Sequence, residues 1–188
     1  AHKVTPLMMA ASLGNTEAAK MLIAAGADIN HRDEVGSTPV FLAALSASAD
    51  IVKALIKKGA DVTLTNEYGQ TPLHRCTSVE AAKLLIEAGT ALDAKDERGR
   101  TALHVAADLG RTELVRFYID AGLGVNSLTK NKAAPLHGAS LGGHKDTATA
   151  LVELGAKLNM LTKDGYAPIH MAKNVEVVKL LIAAGADP

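Results

Sequence analysis

The feature that most constrains this chain is an internal repeat. A motif of Thr or Ala, then Pro or Ala, then an aliphatic residue recurs at intervals of 33, 33, 30, 33 and 33 residues, and His follows it in four of the six copies. A period of this length indicates a solenoid, in which each repeat is one unit that buries its apolar side against its neighbours. The six copies are Thr5-Pro6-Leu7, Thr38-Pro39-Val40, Thr71-Pro72-Leu73-His74, Thr101-Ala102-Leu103-His104, Ala134-Pro135-Leu136-His137 and Ala167-Pro168-Ile169-His170.

A second marker, which contains glycine, keeps the same period. Its copies are Gly26-Ala27-Asp28, Gly59-Ala60-Asp61, Gly89-Thr90-Ala91, Gly122-Leu123-Gly124, Gly155-Ala156-Lys157 and Gly185-Ala186-Asp187. Over Thr5 to Asp187 the sequence resembles the ankyrin repeat family, whose period and Thr-Pro-Leu-His signature it shares. The resemblance implies an all-α fold, an ankyrin-repeat solenoid of stacked helix–turn–helix units with projecting β-hairpin loops. We expect a single domain over 1–188, with repeats at about 1–32, 33–65, 66–95, 96–128, 129–161 and 162–188.

The local sequence explains why each repeat forms two helices. Thr38 can cap free N–H groups and Pro39 suits the first position of a helix, so an inner helix is predicted to begin here. Glycine tolerates a left-handed turn, and the glycines expected to end inner helices are Gly14, Gly110 and Gly143. The outer helix is predicted by an apolar stripe at helical spacing, which in the second repeat is Ile51, Val52, Leu55 and Ile56.

The third and sixth repeats are each three residues shorter than the other four. The loss falls between the two helices, where the glycine turn is missing, and it leaves Ser78 and Asn174 as predicted caps of the outer helices. The three-repeat spacing of the shortening indicates duplication of a three-repeat block. The shortening either creates a functional notch in the inner surface or is a neutral change, since loops tolerate deletion.

The fifth repeat departs from the pattern in its hairpin. Lys132 stands where other repeats have glycine, at Gly36, Gly69, Gly99 and Gly165. If this position requires a positive φ, a lysine there costs about 1–2 kcal/mol, unless the neighbouring Asn131 adopts the strained conformation instead. Ala134 and Ala167 also replace the capping threonine, a change that typically costs about 0.5–2 kcal/mol per helix.

Charge and cysteine content exclude several classes of function. The 20 basic and 20 acidic residues give a formal net charge of zero without a basic stripe, so we expect no nucleic acid partner. The apolar runs are too short to cross a bilayer, so we expect no membrane insertion. Cys76 is the only cysteine and cannot form an internal disulfide. We expect a cytoplasmic protein, with the bacterial periplasm or secretion as an effector as alternatives.

The two ends of the chain are unusual for a complete repeat protein. The chain begins at Ala1 rather than Met, and terminal repeats usually present a polar outer face. The last repeat instead keeps an apolar stripe at Val177, Val178, Leu181 and Ile182. We therefore expect either a longer parent protein or an end that another molecule covers.

Histidines at one place in four repeats suggest a metal or catalytic site. Packed helices lie about 8–10 Å apart, whereas each zinc ligand must lie about 2.0–2.1 Å from the ion. Equivalent histidines in successive repeats are therefore too far apart to share a metal. The ankyrin resemblance implies that they are structural hydrogen-bonding groups between neighbouring loops, and these are His74, His104, His137 and His170.

Other candidate catalytic groups also have structural explanations. Cys76 lies two residues from His74, so on a helix the two side chains point to different sides. The segment Gly142-Gly143-His144-Lys145 lacks the spacing of a phosphate-binding loop, and no strand precedes it, so it is predicted to be an inter-helix turn. The carboxylates show no convergent pair. We expect no enzyme activity, no cofactor, no metal site and no small-molecule substrate.

The ankyrin resemblance implies that a partner binds the concave face formed by the hairpin tips and the exposed edge of the inner helices. By register, the inner-helix edge comprises Leu13, Leu45, Ser46, Asp108, Leu109 and Leu141. The tip residues are Arg32, Glu34, Val35, Ser37, Thr65, Glu67, Tyr68, Gln70, Lys95, Glu97, Arg98, Arg100, Leu128, Lys130, Asn131, Ala133, Leu161, Lys163, Asp164 and Tyr166. The residues that we expect to contact the partner are Val35, Tyr68, Gln70, Arg98, Arg100, Lys130, Lys163, Tyr166, Leu45 and Leu109. Tyr and Arg dominate interface hot spots, so Tyr68, Arg98, Arg100 and Tyr166 lead this set.

The function predicted from the sequence is a non-catalytic scaffold for protein–protein interaction. One alternative is a dedicated inhibitor, of the immunity type, that docks on a partner enzyme and blocks it. A second is the targeting module of a longer effector enzyme, and a third is a structural role through self-association. The sequence does not distinguish among these, because the repeats specify the scaffold while the tip residues vary freely.

The departures in the last two repeats predict where unfolding begins. Because these repeats lack the capping threonine, and the fifth has Lys132 at a glycine position, their amides should exchange with deuterium before those of the first two repeats. Hydrogen-exchange mass spectrometry under native conditions measures this order directly. Opening of the N-terminal repeats first would contradict the prediction.

Overall fold

A computed structural model describes residues 4–188, and all regular secondary structure in this range is helical. Each expected repeat window holds an inner and an outer segment, and in the sixth repeat the inner segment is a single 3-10 turn, Pro168–Met171. The α-helices in this range are α1 (Pro6–Ser12), α2 (Thr16–Ala24), α3 (Pro39–Leu45), α4 (Ala49–Lys57), α5 (Pro72–Arg75), α6 (Val79–Glu87), α7 (Ala102–Asp108), α8 (Thr112–Asp120), α9 (Pro135–Gly142), α10 (Lys145–Glu153) and α11 (Val175–Ala183).

The inner helices begin at the motif, as predicted. The Thr38 hydroxyl accepts a hydrogen bond from the Phe41 N–H at 3.4 Å, and Pro39 occupies the first helical position. From the third repeat onward the motif histidine bonds the backbone at the helix start. In the fifth repeat, for example, His137 Nδ1 accepts from the Ala134 N–H at 3.0 Å. The alanine-capped repeats therefore lose the threonine hydroxyl but keep the histidine bond.

The chain divides into two compact units, Ala1–Glu97 and Arg98–Pro188, here named unit 1 and unit 2. In unit 1 the inner helices pack in the order α1, α3, α5 and the outer helices in the order α2, α4, α6. In unit 2 the inner order is α7, α9 and the 3-10 turn, and the outer order is α8, α10, α11. Each unit is thus a two-layer stack in which a repeat contacts the next one along the chain.

Small and aliphatic side chains form the core of each unit. Paired alanines, such as Ala43 and Ala44 in α3, are fully buried and allow close packing of neighbouring inner helices. The predicted stripe of the second repeat is confirmed for Ile51, Val52 and Leu55, which are fully buried, whereas Ile56 is half-buried. The sixth repeat buries Val177 and Leu181 in the same way but leaves Ile182 exposed.

The turn between inner and outer helices requires a left-handed residue. Gly14, Gly110 and Gly143 have φ values of 67°, 70° and 73°, which confirms the prediction that they end inner helices. In the second repeat the same position is Ala47, with φ of 60°. The turn geometry is therefore retained even where the residue is not glycine.

The two shortened repeats lose helix as well as loop. Only one helical turn remains in each inner segment, so the loss does not fall between the helices alone. The extended chain that follows bonds to the preceding inner helix, where the Thr77 N–H donates to Ala44 O at 3.3 Å and the Lys173 N–H donates to Ser140 O at 3.0 Å. Both acceptors lie in the last turn of their helices, where carbonyls lack the usual partner four residues ahead, and Ser140 O also accepts from the Gly143 N–H at 3.0 Å. Ser78 and Asn174 cap α6 and α11, as predicted.

The strained position of the fifth hairpin is Lys132 itself. Its φ is 57°, whereas Asn131 is not among the described residues with positive φ. The alternative that Asn131 takes over the strain is therefore wrong. The hairpin keeps its shape because the Lys132 N–H donates to Thr129 O at 3.0 Å, as the N–H groups of Gly36, Gly69 and Gly165 do in their tips.

The projecting loops are tight turns rather than strand pairs. In the second repeat the Asp33 N–H donates to Ser37 O and the Gly36 N–H donates to Asp33 O. Two such bonds close the turn but are too few for a β ladder, and within residues 4–188 no strand is assigned. The expected β-hairpin loops are hairpin-shaped turns.

The two left-handed non-glycine residues predict stabilising substitutions. Lys132→Gly and Ala47→Gly should each raise the unfolding free energy by about 0.5–1 kcal/mol, because removal of the left-handed strain outweighs the added flexibility of the unfolded chain. Urea denaturation followed by circular dichroism measures the change. Ala133→Gly is the matched control, since Ala133 has no positive φ, and it should destabilise the protein. A loss of stability in both test variants would contradict the strain argument.

Candidate partner-binding site

Each hairpin tip of unit 1 is held by an Asp or Asn side chain at its base. Asp33 Oδ1 accepts from the Val35 and Ser37 N–H groups at 3.0 and 2.7 Å. Asn66 repeats this arrangement in the next tip, where its Oδ1 accepts from Tyr68 and Gln70. Asp and Asn favour such turns because their short side chains reach backbone N–H groups two residues ahead.

In unit 2 threonine takes over the same role. Thr129 Oγ1 accepts from the Ala133 N–H at 3.1 Å, and Thr162 Oγ1 accepts from the Tyr166 N–H at 3.2 Å. A hydroxyl forms this turn more weakly than a carboxylate or an amide does. It also removes the negative charge that Asp33 brings to the base of the tip in the second repeat.

Successive tips are joined by one backbone hydrogen bond. In unit 1 the Glu67 N–H donates to Val35 O at 2.9 Å, and the Glu97 N–H donates to Tyr68 O at 3.0 Å. In unit 2 the Lys130 N–H donates to Arg98 O and the Lys163 N–H donates to Asn131 O. We name the residue that donates this bond the tip donor position. Because the bond is made by the backbone, the side chain there contributes nothing to it.

Two of the four predicted contact residues of unit 1 are solvent-exposed. Val35 and Tyr68 are 40% and 57% exposed at their tips, and Leu45 is half-buried at the end of α3. Gln70 differs, since it is only 7% exposed and its Oε1 accepts from Asn66 Nδ2. Gln70 therefore supports the tip from within and does not present its side chain to a partner.

The predicted contact residues of unit 2 include four exposed side chains at the tips. Tyr166 is 54% exposed, and Arg98, Lys130 and Lys163 are exposed too. Leu109 is 47% exposed at the C-terminal end of α7. These side chains are held apart on separate tips and on a helix end, which is suited to a broad contact rather than an enclosed pocket.

Arg100 lies lower, at the base of its tip, and an ion pair holds it. Its side chain is 23% exposed, and its Nη1 lies 3.3 Å from Asp108 Oδ2. A Cβ at Gly138 in the neighbouring inner helix would overlap Asp108 Oδ1, so this glycine makes room for the carboxylate. Sequence analysis missed the pair. The available signal was Gly138, a glycine inside a helix at the position that Val105 occupies one repeat earlier.

The Gly142–Lys145 segment is an inter-helix turn, as predicted. His144 Nε2 donates to Asp108 O at 3.1 Å, at the C-terminal end of α7. Cβ atoms at Gly110 or Gly142 would overlap the His144 ring, so the two glycines enclose it. The imidazole thus satisfies a carbonyl at the helix end of the preceding repeat, a contact that the sequence pattern did not indicate.

The motif histidines bridge a helix start to the next loop. In His104 and His137, Nδ1 accepts a backbone N–H, so Nε2 carries the proton and donates to a carbonyl of the loop that follows the outer helix. His104 donates to Ser127 O at 3.0 Å. His137 donates to two acceptors, Met160 O at 3.0 Å and Tyr166 O at 3.2 Å. His137 therefore anchors the backbone of Tyr166. His74 is buried in the same way, whereas the ring of His170 is exposed.

Burial lowers the pKa of the His137 imidazole, and its hydrogen bonds with Tyr166, Met160 and Ala134 oppose the shift. The native state thus favours the neutral ring that these bonds require. Among residues 4–188, no three His, Cys, Asp or Glu side chains lie together in a way that could hold a metal ion. Within the same range, no helix combines the length and apolar character needed to cross a membrane.

The lowered pKa of His137 predicts a pH-dependent loss of stability. The unfolded chain, with an ordinary histidine pKa, binds a proton more readily than the native state, so the unfolding free energy should fall as the pH drops below about 6.5. His137→Gln removes the titrating ring, and its unfolding free energy should fall less between pH 7.5 and pH 5. Urea denaturation at both pH values measures this, with His170→Gln as the variant at the equivalent exposed position. An unchanged dependence in His137→Gln would contradict the prediction.

Comparisons with known proteins agree with this architecture. The sequence profile of a family described as ankyrin repeats (3 copies) matches residues 7–96, 40–129, 78–162 and 103–188. A comparison with curated protein sequences yields no match. The crystal structure of the human ASB11 ankyrin repeat domain is similar, with a TM-score of 0.86 at 28% identity over 98% of this chain and 85% of that one.

Ankyrin repeats are generally protein–protein interaction modules, and their fold is typically non-catalytic. The profile matches overlap along nearly the whole chain, over the same residues that form the successive helix pairs. The chain therefore belongs to the ankyrin repeat family and has its all-α solenoid fold.

Proposed function

We propose that the chain is a non-catalytic scaffold and that each unit binds a partner protein through its hairpin tips and the exposed ends of its inner helices. The backbone bonds between tips and the histidine bridges hold this surface without using its exposed side chains. Those side chains are therefore available for recognition. The ankyrin family membership supports the proposal, since partner binding is what such repeats generally do.

The observation that carries the proposal is the unequal distribution of exposed apolar side chains. On the outer helices of the second to fifth repeats, α4, α6, α8 and α10, every exposed residue is charged. In the same repeats, the exposed large apolar residues all lie on tips or inner-helix ends, namely Val35, Tyr68, Leu109, Leu128, Leu141 and Leu161. Exposed apolar side chains gathered on one side, with charges of both signs around them, are typical of a protein interface.

We also propose the cytoplasm as the compartment. The single cysteine, Cys76, is buried in the core and cannot form an internal disulfide, so the fold gains nothing from an oxidising environment. Fractionation of the native cell with an antibody against the chain tests this directly.

Removal of the two exposed tip tyrosines should weaken partner binding without weakening the fold. Tyr68→Ala and Tyr166→Ala should each lower affinity by about 2 kcal/mol or more, on the order of thirtyfold, because an interfacial tyrosine buries a large ring at low entropic cost. The full chain, used as bait in native cell extract, identifies the partner by mass spectrometry. Titration calorimetry with the purified partner then gives the affinities.

Exposed apolar residues on outer helices supply the matched controls. Met21→Ala in α2 and Ile182→Ala in α11 remove similar exposed surface away from the tips and should leave affinity unchanged. Thermal melts should show unchanged melting temperatures in all four variants. The proposed function fails if the outer-helix variants weaken binding as strongly as the tyrosine variants do.

A further inference from the structure

The tip donor position changes charge along the chain. It is Glu67 and Glu97 in two successive tips and Lys130 and Lys163 in the next two, and Glu34 occupies the equivalent position of the tip before them by register. All of these side chains are exposed. The backbone bond at the donor position is the same in both units, so the fold tolerates either sign. The reversal therefore requires an explanation outside the stability of the hairpin.

Most of the remaining tip charges of unit 2 are also positive. Arg98 lies in the tip of the fourth repeat, and Lys132 accompanies Lys130 in the tip of the fifth, both exposed. Arg100 adds a cation whose charge Asp108 partly balances at 3.3 Å. Within residues 98–188 the one acid on these tips is Asp164, whose Oδ2 accepts from Asn131 Nδ2 at 3.2 Å, whereas the turn that holds Arg98 and Arg100 begins with Asp96 and Glu97 of unit 1. The tips of unit 2 thus carry five cations and one acid.

These cations lie on neighbouring tips that backbone bonds join. The Lys130 N–H donates to Arg98 O at 2.9 Å, and the Lys163 N–H donates to O of Asn131, which lies between Lys130 and Lys132, at 3.0 Å. A partner segment that extends along the tips therefore meets several cations in succession. Within residues 4–188, the ammonium groups of Lys130, Lys132 and Lys163 form no ion pair.

The charge of the whole unit has the same sign as its tips. Residues 98–188 contain eleven basic and eight acidic residues, whereas residues 1–97 contain nine basic and twelve acidic ones. The neutral formal charge of the chain thus hides two oppositely charged halves. A negatively charged ligand approaching unit 2 meets a favourable field at long range as well as at the tips.

Apolar side chains lie among the cations in the same tips. Leu128 stands two residues before Lys130, and Leu161 and Tyr166 flank Lys163, all three exposed. A nucleic acid backbone would offer nothing to the two leucines, and an acid such as Asp164 would repel it. A peptide segment offers both carboxylates and apolar groups. The mixture of cations with exposed leucine and tyrosine favours a protein ligand.

We propose that the hairpin tips of unit 2 bind an acidic segment of the partner protein. Aspartate or glutamate side chains of that segment pair with Lys130 and Lys163, and its apolar side chains pack on Leu161 and Tyr166. The proposal rests on the proposed function, because it specifies the partner chemistry for one part of the same surface. It assigns no ligand to unit 1.

A charge-reversal variant tests the proposal without a known partner. A random peptide library displayed on phage is selected on the immobilised full chain, and the recovered peptides are synthesised for fluorescence anisotropy. The test variant is Lys130→Glu with Lys163→Glu. It places at each donor position the residue that Glu34, Glu67 and Glu97 already supply in the other tips, so the hairpins should fold unchanged. The control, Lys157→Glu with Lys179→Glu, changes the net charge equally at exposed sites outside the tips.

The expected result is recovery of peptides rich in Asp and Glu. Their affinity should fall at least about tenfold in the tip variant and at high salt, and by less than about twofold in the control, because only the tip variant places like charges at the contact. Peptides with each Glu replaced by Lys should bind the tip variant better than the original chain. A thermal melt of each variant verifies that it remains folded.

Several outcomes would overturn this inference. Recovery of peptides without an acidic excess, failure to recover any peptide, or equal effects of the tip and control variants would each refute it. Tighter binding of a single-stranded DNA 12-mer than of any peptide would assign the cations to nucleic acid instead. If the recovered peptides are not acidic but bind more weakly to Tyr68→Ala or Tyr166→Ala, the proposed function stands and this inference fails. If the peptides are not acidic and bind the tyrosine variants as tightly as the original chain, both fail.

Discussion

The backbone hydrogen bond between successive hairpin tips determines how this protein can vary. In each unit one N–H at the tip donor position reaches a carbonyl of the preceding tip, at about 3 Å, whatever side chain the donor carries. An Asp, Asn or Thr side chain closes the base of the tip by accepting backbone N–H groups. The left-handed position in the tip is occupied by glycine or by Lys132. With these constraints met by the backbone and two positions per tip, the remaining tip side chains are free to face solvent. The broad exposed surface is a direct consequence of this division.

The two shortened repeats show that the stack depends on satisfied carbonyls rather than on helix length. When three residues are lost, the inner segment contracts to one turn, and the following extended chain donates to a carbonyl of the preceding inner helix. Thr77 and Lys173 make this bond at positions 96 residues apart, which matches the spacing of a duplicated three-repeat block. His144 solves the same problem by a different route, since its ring caps Asp108 O across two repeats. Each solution leaves the interface between neighbouring repeats intact.

Sequence analysis predicted whatever the period determines. The helix pairs, the threonine and glycine caps and the buried apolar stripe all recur with it, so one repeat predicts the next. Sequence analysis failed where the position of a side chain depends on contacts with residues that are close in space but not at the repeat period. Gln70 has the register of an exposed tip residue, yet its amide turns inward to Asn66. Gly138 makes room for Asp108, and Gly110 and Gly142 enclose His144, because of packing between repeats that no single repeat records. The strain at Lys132 was foreseen, but which of two neighbours bears it depended on backbone angles.

The charge at the tip donor position separates recognition from folding in this chain. Glu67 and Lys130 make the same backbone bond with opposite side-chain charges, so hairpin stability cannot select between them. The outer helices show the contrasting case, because their exposed positions mix both signs within each helix and even pair them, as Arg116 does with Glu153 at 2.6 Å. Mixed charges keep a surface solvated without attracting one class of ligand, whereas a run of one sign creates a directed field. The fold does not determine the side-chain charge at the donor position. That charge can therefore vary and determine which partner the surface binds.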